Sequence, residues 1–230
     1  MPERTLVIGN RRYSSWSLRA WIGLASVGVA FREQRIALHV GDYKADILRH
    51  SPAGKVPVLI DGELAVHESI AILEYVNEAY AQGRLLPSAR AERALARAVS
   101  AEMHAGFMAL RAQLPMDLRR APGPLGPAHA PDAAAQDDIR RILELWEDCL
   151  AKADAASAPY LFGAWSMADC MFLPVATRFR TYQVPLEAHP RCRAYVDALL
   201  AHPRFREWEA AAATESEVLP AIDEQTSTDF

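Results

Sequence analysis

Cysteine is scarce in this 230-residue chain: Cys149, Cys170 and Cys192 are the only three, and all lie in its second half. An odd, widely spaced set supports neither a disulfide framework nor a zinc-ligand pattern, so the thiols read as reduced and structural. The seven histidines include no H-E-x-x-H pair or similar helical spacing, and no metal is expected. Long basic runs are missing as well, and the formal net charge is −4, which removes the electrostatic footprint of a nucleic-acid binder. Nowhere do about 18 uncharged apolar residues run together, so no membrane span is expected. The opening MPERTLVIGN has too few consecutive apolar residues for a secretory signal, and the expected location is the cytoplasm.

What is present is an ordinary globular composition, 51% hydrophobic and 23% charged, in a chain long enough to exceed the usual single core. Two domains are expected: residues 1–82, a linker at 83–89, and 90–230. TLVIG (5–9) is a β-branched run ended by glycine, and Leu18, Ile22 and Ala25 follow at helical spacing after a group of serines. FREQRIAL (31–38) alternates as a second strand, and GDYKADILRH carries the chain on as an irregular or helical stretch. KVPVLIDGELAVHES has two short β runs around Asp61-Gly62, the signature of an antiparallel hairpin. Ile70, Leu73, Val76 and Tyr80 then predict a helix ending near Gly83.

Beyond that point β-branched runs almost stop, and the expected architecture is α/β followed by all-α. Residues 90–121 read as a long helix, APGPLGPAHAP (121–131) as a break, and 132–156 as a second long helix antiparallel to the first. Trp165-Ser166-x-x-Asp169 supplies a capping box, with Trp165 and Cys170 as its hydrophobic staple. Two shorter helices separated by Pro190 and Pro203 follow, and the tail DEQTSTDF is expected to fray.

Four stretches together carry a family resemblance: Tyr13-Ser14-Ser15 before SLRAWIGL, SPAGKVPVLIDGE (51–63), HESIAILEYV (67–76) and FGAWSMADCMFLPVA (162–176). The chain resembles the glutathione S-transferase superfamily, which implies a thioredoxin-like βαβαββα domain followed by an all-helical one. Its first loop looks most like the serine-type classes, especially zeta: Ser14, Ser15 and Arg19 match, while Trp16 replaces that class's cysteine.

The resemblance implies roles for single residues. A thiol is roughly a few per cent ionised at neutral pH, and a hydroxyl donor at a helix N-terminus favours the thiolate. Ser14 matches the activating serine for glutathione, with Ser15 as its backup; capping the helix is the alternative for both. Val56-Pro57 matches a cis dipeptide whose backbone pairs with an extended peptide. Glu68-Ser69 would grip the γ-glutamyl end of glutathione, and Lys55, with His39 as a second candidate, the glycyl carboxylate. Trp16, Met103, Phe107 and Met108 are expected around the second substrate, with simple core packing as the alternative. Arg178 and Arg180 fall near the region where the zeta class keeps a substrate-carboxylate arginine, but neither aligns with it exactly. Asp169 is explained by capping and is assigned no chemistry.

The expected activity is attack by the bound thiolate on a small apolar electrophile. A glutathione-dependent cis–trans isomerase of the maleylacetoacetate type is one alternative, and a non-catalytic binding or interaction module is the other. Thiol–disulfide exchange is disfavoured, because no cysteine lies near the first loop. Neither a metal nor nucleic acid is expected as a partner. A homodimer through the helix starting near Arg90 is implied by the superfamily's habit.

Overall fold

A computed structural model describes residues 4–126, 130–153, 159–219 and 222. The first third folds as β1 (Arg4–Ile8), α1 (Ser15–Ser26), β2 (Arg32–Arg35), α2 (Tyr43–Leu48), β3 (Val58–Asp61), β4 (Leu64–His67) and α3 (Ser69–Ala79). The sheet order is β2-β1-β3-β4. β1 and β2 pair in parallel across the α1 crossover, while β3 runs antiparallel to both β1 and β4. Gly62, at a φ of +60°, makes the tight β3–β4 turn where a side chain would be strained. This is the thioredoxin-like order that the resemblance implies.

Helices make up the remainder: α4 (Arg90–Ala105), α5 (Met108–Gln113), α6 (Ala133–Lys152), α7 (Met167–Thr181), α8 (Pro190–Ala201) and α9 (Pro203–Ala213). Two boundaries differ from those read in the sequence. The helix expected to reach Gly83 ends at Ala79, because Tyr80 and Ala81 both donate to the Val76 carbonyl while the Asn77 side chain accepts from Leu85 N–H. The long helix expected over 90–121 breaks after Ala105. Gly106 is extended there, a Cβ on it would lie 2.9 Å from the Glu102 carbonyl oxygen, and Phe107 turns left-handed at a φ of +58°. The short α5 that follows rests on α6, while α4 rests on α7. The tail DEQTSTDF lies outside the described residues, as do 127–129 of the Pro/Gly stretch.

One apolar cluster runs from Leu6 and Ile8 of the sheet through α1 and α3 into Trp146, Phe172 and Phe179 of the helical part. Leu85 and Leu86, in the expected linker, are buried in it, and Met167 N–H donates to the Leu85 carbonyl at 2.7 Å. The segment joining the two parts is therefore packed in place. No helix among the described residues is long and apolar enough to cross a membrane.

α7 is buried on almost every face, and Asp169 anchors its start. Its carboxylate accepts from Ser166 N–H (2.7 Å), Ser166 Oγ (2.8 Å), Leu161 N–H (3.2 Å) and Tyr195 Oη (3.0 Å). Removing one acceptor that serves four buried donors leaves them without solvent or partner. Asp169→Ala is expected to destabilise the protein by about 3 kcal/mol or more, read as a lower denaturant midpoint at unchanged slope.

Candidate active site

The loop between β1 and α1 is held from three directions. Asn10 accepts from Ser14 N–H at 2.8 Å through its carbonyl, and its side-chain oxygen accepts from Leu38 N–H at 2.8 Å. Gly9 passes so close to Leu38 that a Cβ would sit 2.6 Å from its Cδ1. Glu215, beyond α9, accepts from the Arg11 and Arg12 N–H groups, and Arg12 forms a bidentate buried pair with Asp117 at 2.6 and 2.8 Å.

This loop delivers Ser14 as the N-cap of α1. Its Oγ accepts from Ser17 N–H at 3.3 Å and lies 2.8 Å from Ser17 Oγ, which itself accepts from Gly9 N–H at 3.0 Å. Capping and thiol activation use different parts of the hydroxyl. The cap needs an acceptor lone pair, whereas a thiolate needs the donated proton. Hydroxyl protons rotate, so Ser17 can donate to Ser14 and turn the Ser14 hydrogen toward the adjoining cavity, each bond in such a chain polarising the next. Ser15, the first residue of α1, borders the same cavity.

That cavity has a volume of about 220 Å³ and lies between the first loop and α5. Tyr13, Ser14, Ser15, Trp16, Met108, Arg111 and Arg178 contribute to its wall, together with Leu219 and Ile222 from the segment after α9. Among the described residues, none that lines it is acidic. The Arg19 and Arg111 guanidiniums lie 4.4 and 4.2 Å from the Trp16 ring centroid, and the His104 ring meets that indole edge-on at 5.2 Å. Arg178 is fixed by two backbone carbonyls, Leu114 to Nε at 2.9 Å and Pro174 to Nη1 at 3.0 Å.

Burial lowers the pKa values of all three guanidiniums, and repulsion from neighbouring arginines adds to this at Arg19 and Arg178. Desolvation acts first on each, Arg178 and Arg111 press on Arg19, and Arg178 falls to about 10. All three still carry charge at neutral pH, because a guanidinium is not deprotonated in proteins. Arg19 is fully buried; its Nε donates to the Met171 carbonyl at 2.9 Å, while Nη1 and Nη2 have no hydrogen-bond partner among the described residues. Desolvation also lowers His104, against the pull of Glu68, whose carboxylate is 3.6 Å away.

A second set of residues abuts this one through His104. The Val56–Pro57 bond is cis, as the resemblance implies. Glu68 takes a φ of +68° as the N-cap of α3, and its side chain is half-buried. Ser69 is 1% exposed, yet its Oγ has no hydrogen-bond partner among the described residues. A buried orphan hydroxyl at a helix N-terminus fits an incoming carboxylate. Lys55 is exposed, and His39, which borders the cavity, packs on Tyr43 with ring centroids 5.0 Å apart.

The family model for the glutathione S-transferase N-terminal domain matches residues 13–79, and that for the C-terminal domain matches residues 89–198. The chain belongs to the glutathione S-transferase superfamily. A probable maleylacetoacetate isomerase of Vibrio cholerae is 44% identical over 66 residues, which is 27% of this chain and 31% of that protein. Glutathione S-transferase Z1 of Arabidopsis thaliana is 36% identical over 75 residues, 32% of this chain and 34% of that protein. These matches thus span about a third of the length of the relatives. Among solved structures, holo maleyl pyruvate isomerase, a bacterial glutathione S-transferase of the zeta class, aligns with a TM-score of 0.69 at 26% identity. That alignment covers 93% of this chain and 100% of that one.

Set against the transferase frame, the expected site residues separate. Ser14, Ser15, Trp16, His39 and Met108 border one cavity. Met103 and Phe107 do not: both are enclosed in the core, Phe107 because the left-handed break after Gly106 turns its ring inward. Arg178 reaches the cavity, whereas Arg180 pairs with Glu209 at 2.6 Å and borders a separate groove of about 790 Å³ that includes none of the first-loop residues. Arg111, Leu219 and Ile222 were not anticipated. Arg111 is one arginine in an arginine-rich stretch, and the other two are ordinary apolar residues of a tail. The three cysteines are buried, with thiols pushed up to about 11 for Cys149, well above normal for Cys170 and to about 12 for Cys192, so none offers a ready thiolate.

Arg19 provides a discriminating test of the cation cluster. Arg19→Met removes a desolvated charge together with its bond to the Met171 carbonyl, and these effects oppose each other. The expected change in unfolding free energy is less than about 1 kcal/mol in either direction, whereas breaking a compensated buried ion pair costs about 3–5 kcal/mol.

Proposed function

We propose that the chain is a glutathione-dependent enzyme acting on a small unsaturated electrophile that carries a carboxylate. The observation that carries this reading is the cavity beside Ser14, where Arg111 and Arg178 stand in the wall and no acidic residue joins them among the described residues. An unpaired guanidinium in a half-closed apolar site favours a carboxylate strongly, because little water competes. The apolar electrophile expected from sequence is refined accordingly to one with an anionic end. Met108, Pro115, Met116, Leu219 and Ile222 would hold its apolar part.

In this reading Ser69 and the N-terminus of α3 hold the γ-glutamyl carboxylate, Glu68 its ammonium group, and the backbone at Val56–Pro57 the cysteinyl unit. Lys55 or His39 faces the glycyl carboxylate. Ser14 donates to the sulfur, relayed by Ser17 and Gly9 N–H, and the α1 N-terminus favours the negative charge. Ser15 is the second donor. Glutathione supplies the nucleophile: its thiolate adds to one carbon of the conjugated double bond, and after rotation its expulsion restores the double bond and the thiolate. Arg111 and Arg178 stabilise the charge delocalised toward the substrate carboxylate while that bond is single. The arginine pair favours such reversible isomerisation over simple conjugation, and the names of the Vibrio cholerae relative and of the zeta-class structure agree with it.

We further assign the protein to the cytoplasm, where three buried reduced thiols are at home, and to a homodimer that uses α4. Thiolate absorbance of bound glutathione across pH tests the central claim. The wild type should show a lowered thiol pKa, and Ser14→Ala should bind glutathione with that shift lost and turnover reduced by about 10²-fold or more. Failure to bind glutathione would overturn the enzyme reading in favour of an interaction module. In parallel, Arg178→Met should raise KM for a carboxylate-bearing electrophile at least tenfold more than for a neutral one; equal effects on both would remove the anionic assignment.

A further inference from the structure

Glu147 of α6 and His189 and Cys192 at the start of α8 bring three different ligand types together, apart from any residue of the active-site cavity. Their ligand atoms all lie within 4.8 Å of one another. Glu147 Oε1 is 3.6 Å from His189 Nδ1 and 3.5 Å from Cys192 Sγ. We propose that Glu147, His189 and Cys192 form a site for one divalent cation of the zinc type, with a fourth position open to water.

The spacing fits that ion. Bond lengths of about 2.3 Å to sulfur and about 2.0–2.1 Å to nitrogen or oxygen put the edges of a tetrahedron at roughly 3.3–3.6 Å, so the two edges that meet at Glu147 are nearly the right length already. The donor set selects the class of metal. Thiolate and imidazole suit zinc, cobalt or copper and are poor ligands for magnesium or calcium.

The surroundings support the ligands individually. Cys192 is fully buried and is the third residue of α8; its free thiol keeps its proton, and it is the cation that deprotonates a coordinating thiol. His189 is the N-cap of α8, so its backbone is fixed by the helix it begins. Arg191 lies 3.5 Å from Glu147 Oε2, while His189 and Cys192 contact Oε1. It can therefore orient the carboxylate from outside without occupying the metal position. On binding, the Cys192 thiol proton passes to solvent and the cation clips α6 to α8. Spacing along the chain does not reveal the site, because two ligands lie at the start of α8 and the third on α6.

The test uses the full chain, stripped of metal with a chelator and kept free of glutathione, titrated with cobalt(II). The expected result is a thiolate-to-cobalt charge-transfer band that saturates at one equivalent per chain and is bleached by zinc. Cys192→Ser should abolish the band, and His189→Ala, at a more exposed position that the fold tolerates, should weaken cobalt binding at least tenfold. Zinc should raise the Tm of the wild type and leave that of His189→Ala unmoved. Absence of the band, or a band that survives in both variants, would overturn the proposal.

Discussion

Helix α1 is the constraint on which the molecule turns, since the same twelve residues must seat the sheet, join the two parts and present the reacting hydroxyl. Nine of them, from Ser15 to Leu24, are buried. Gly23 lets α3 approach so closely that a Cβ would stand 2.2 Å from Leu73 Cδ2, and Trp21 meets Trp208 of α9 with ring centroids 5.3 Å apart. Arg19 ties the helix to α7 through the Met171 carbonyl. A helix packed on so many sides cannot rotate or slide without disturbing the whole core, so Ser14 at its N-terminus is held rigidly by interactions far from the chemistry.

Electrostatics run against stability at this place. Arg19 and Arg111 lie against one indole, Arg178 shares the cavity wall with Arg111, no carboxylate lines that cavity among the described residues, and each guanidinium is desolvated enough that its pKa falls. Elsewhere the protein does the opposite, pairing Arg12 with Asp117 and Arg97 with Glu74 in bidentate contacts. An uncompensated positive cluster is the arrangement expected where an anion is to complete the structure. The orphan hydroxyl of Ser69 follows the same logic on the other side of His104.

Much of the fold was legible because it rests on local signals. Alternation marked the strands, Asp61-Gly62 the hairpin, and Ser166-x-x-Asp169 the start of α7. The helix read across residues 90–121 was not legible as two, because Gly106 in a run of good helix formers is a weak signal until the Glu102 carbonyl is seen to block its continuation. The site divided along the same line. Residues in compact motifs, Ser14, Val56-Pro57 and Glu68-Ser69, could be named from sequence. Arg111, Leu219 and Ile222 reach the cavity only through the course of the backbone, and nothing in their neighbours distinguishes them.

The break between α4 and α5 gives that course its meaning. Had the chain continued as one helix, Arg111 and Met108 would have stayed on the α4 axis; instead the extended Gly106 and left-handed Phe107 redirect it, and the buried Phe107 ring fastens the corner. Ligand choice in this protein is thus written partly in backbone direction. Two relatives with the same side chains around the pocket, but differing by one residue at this corner, would offer their substrates different walls.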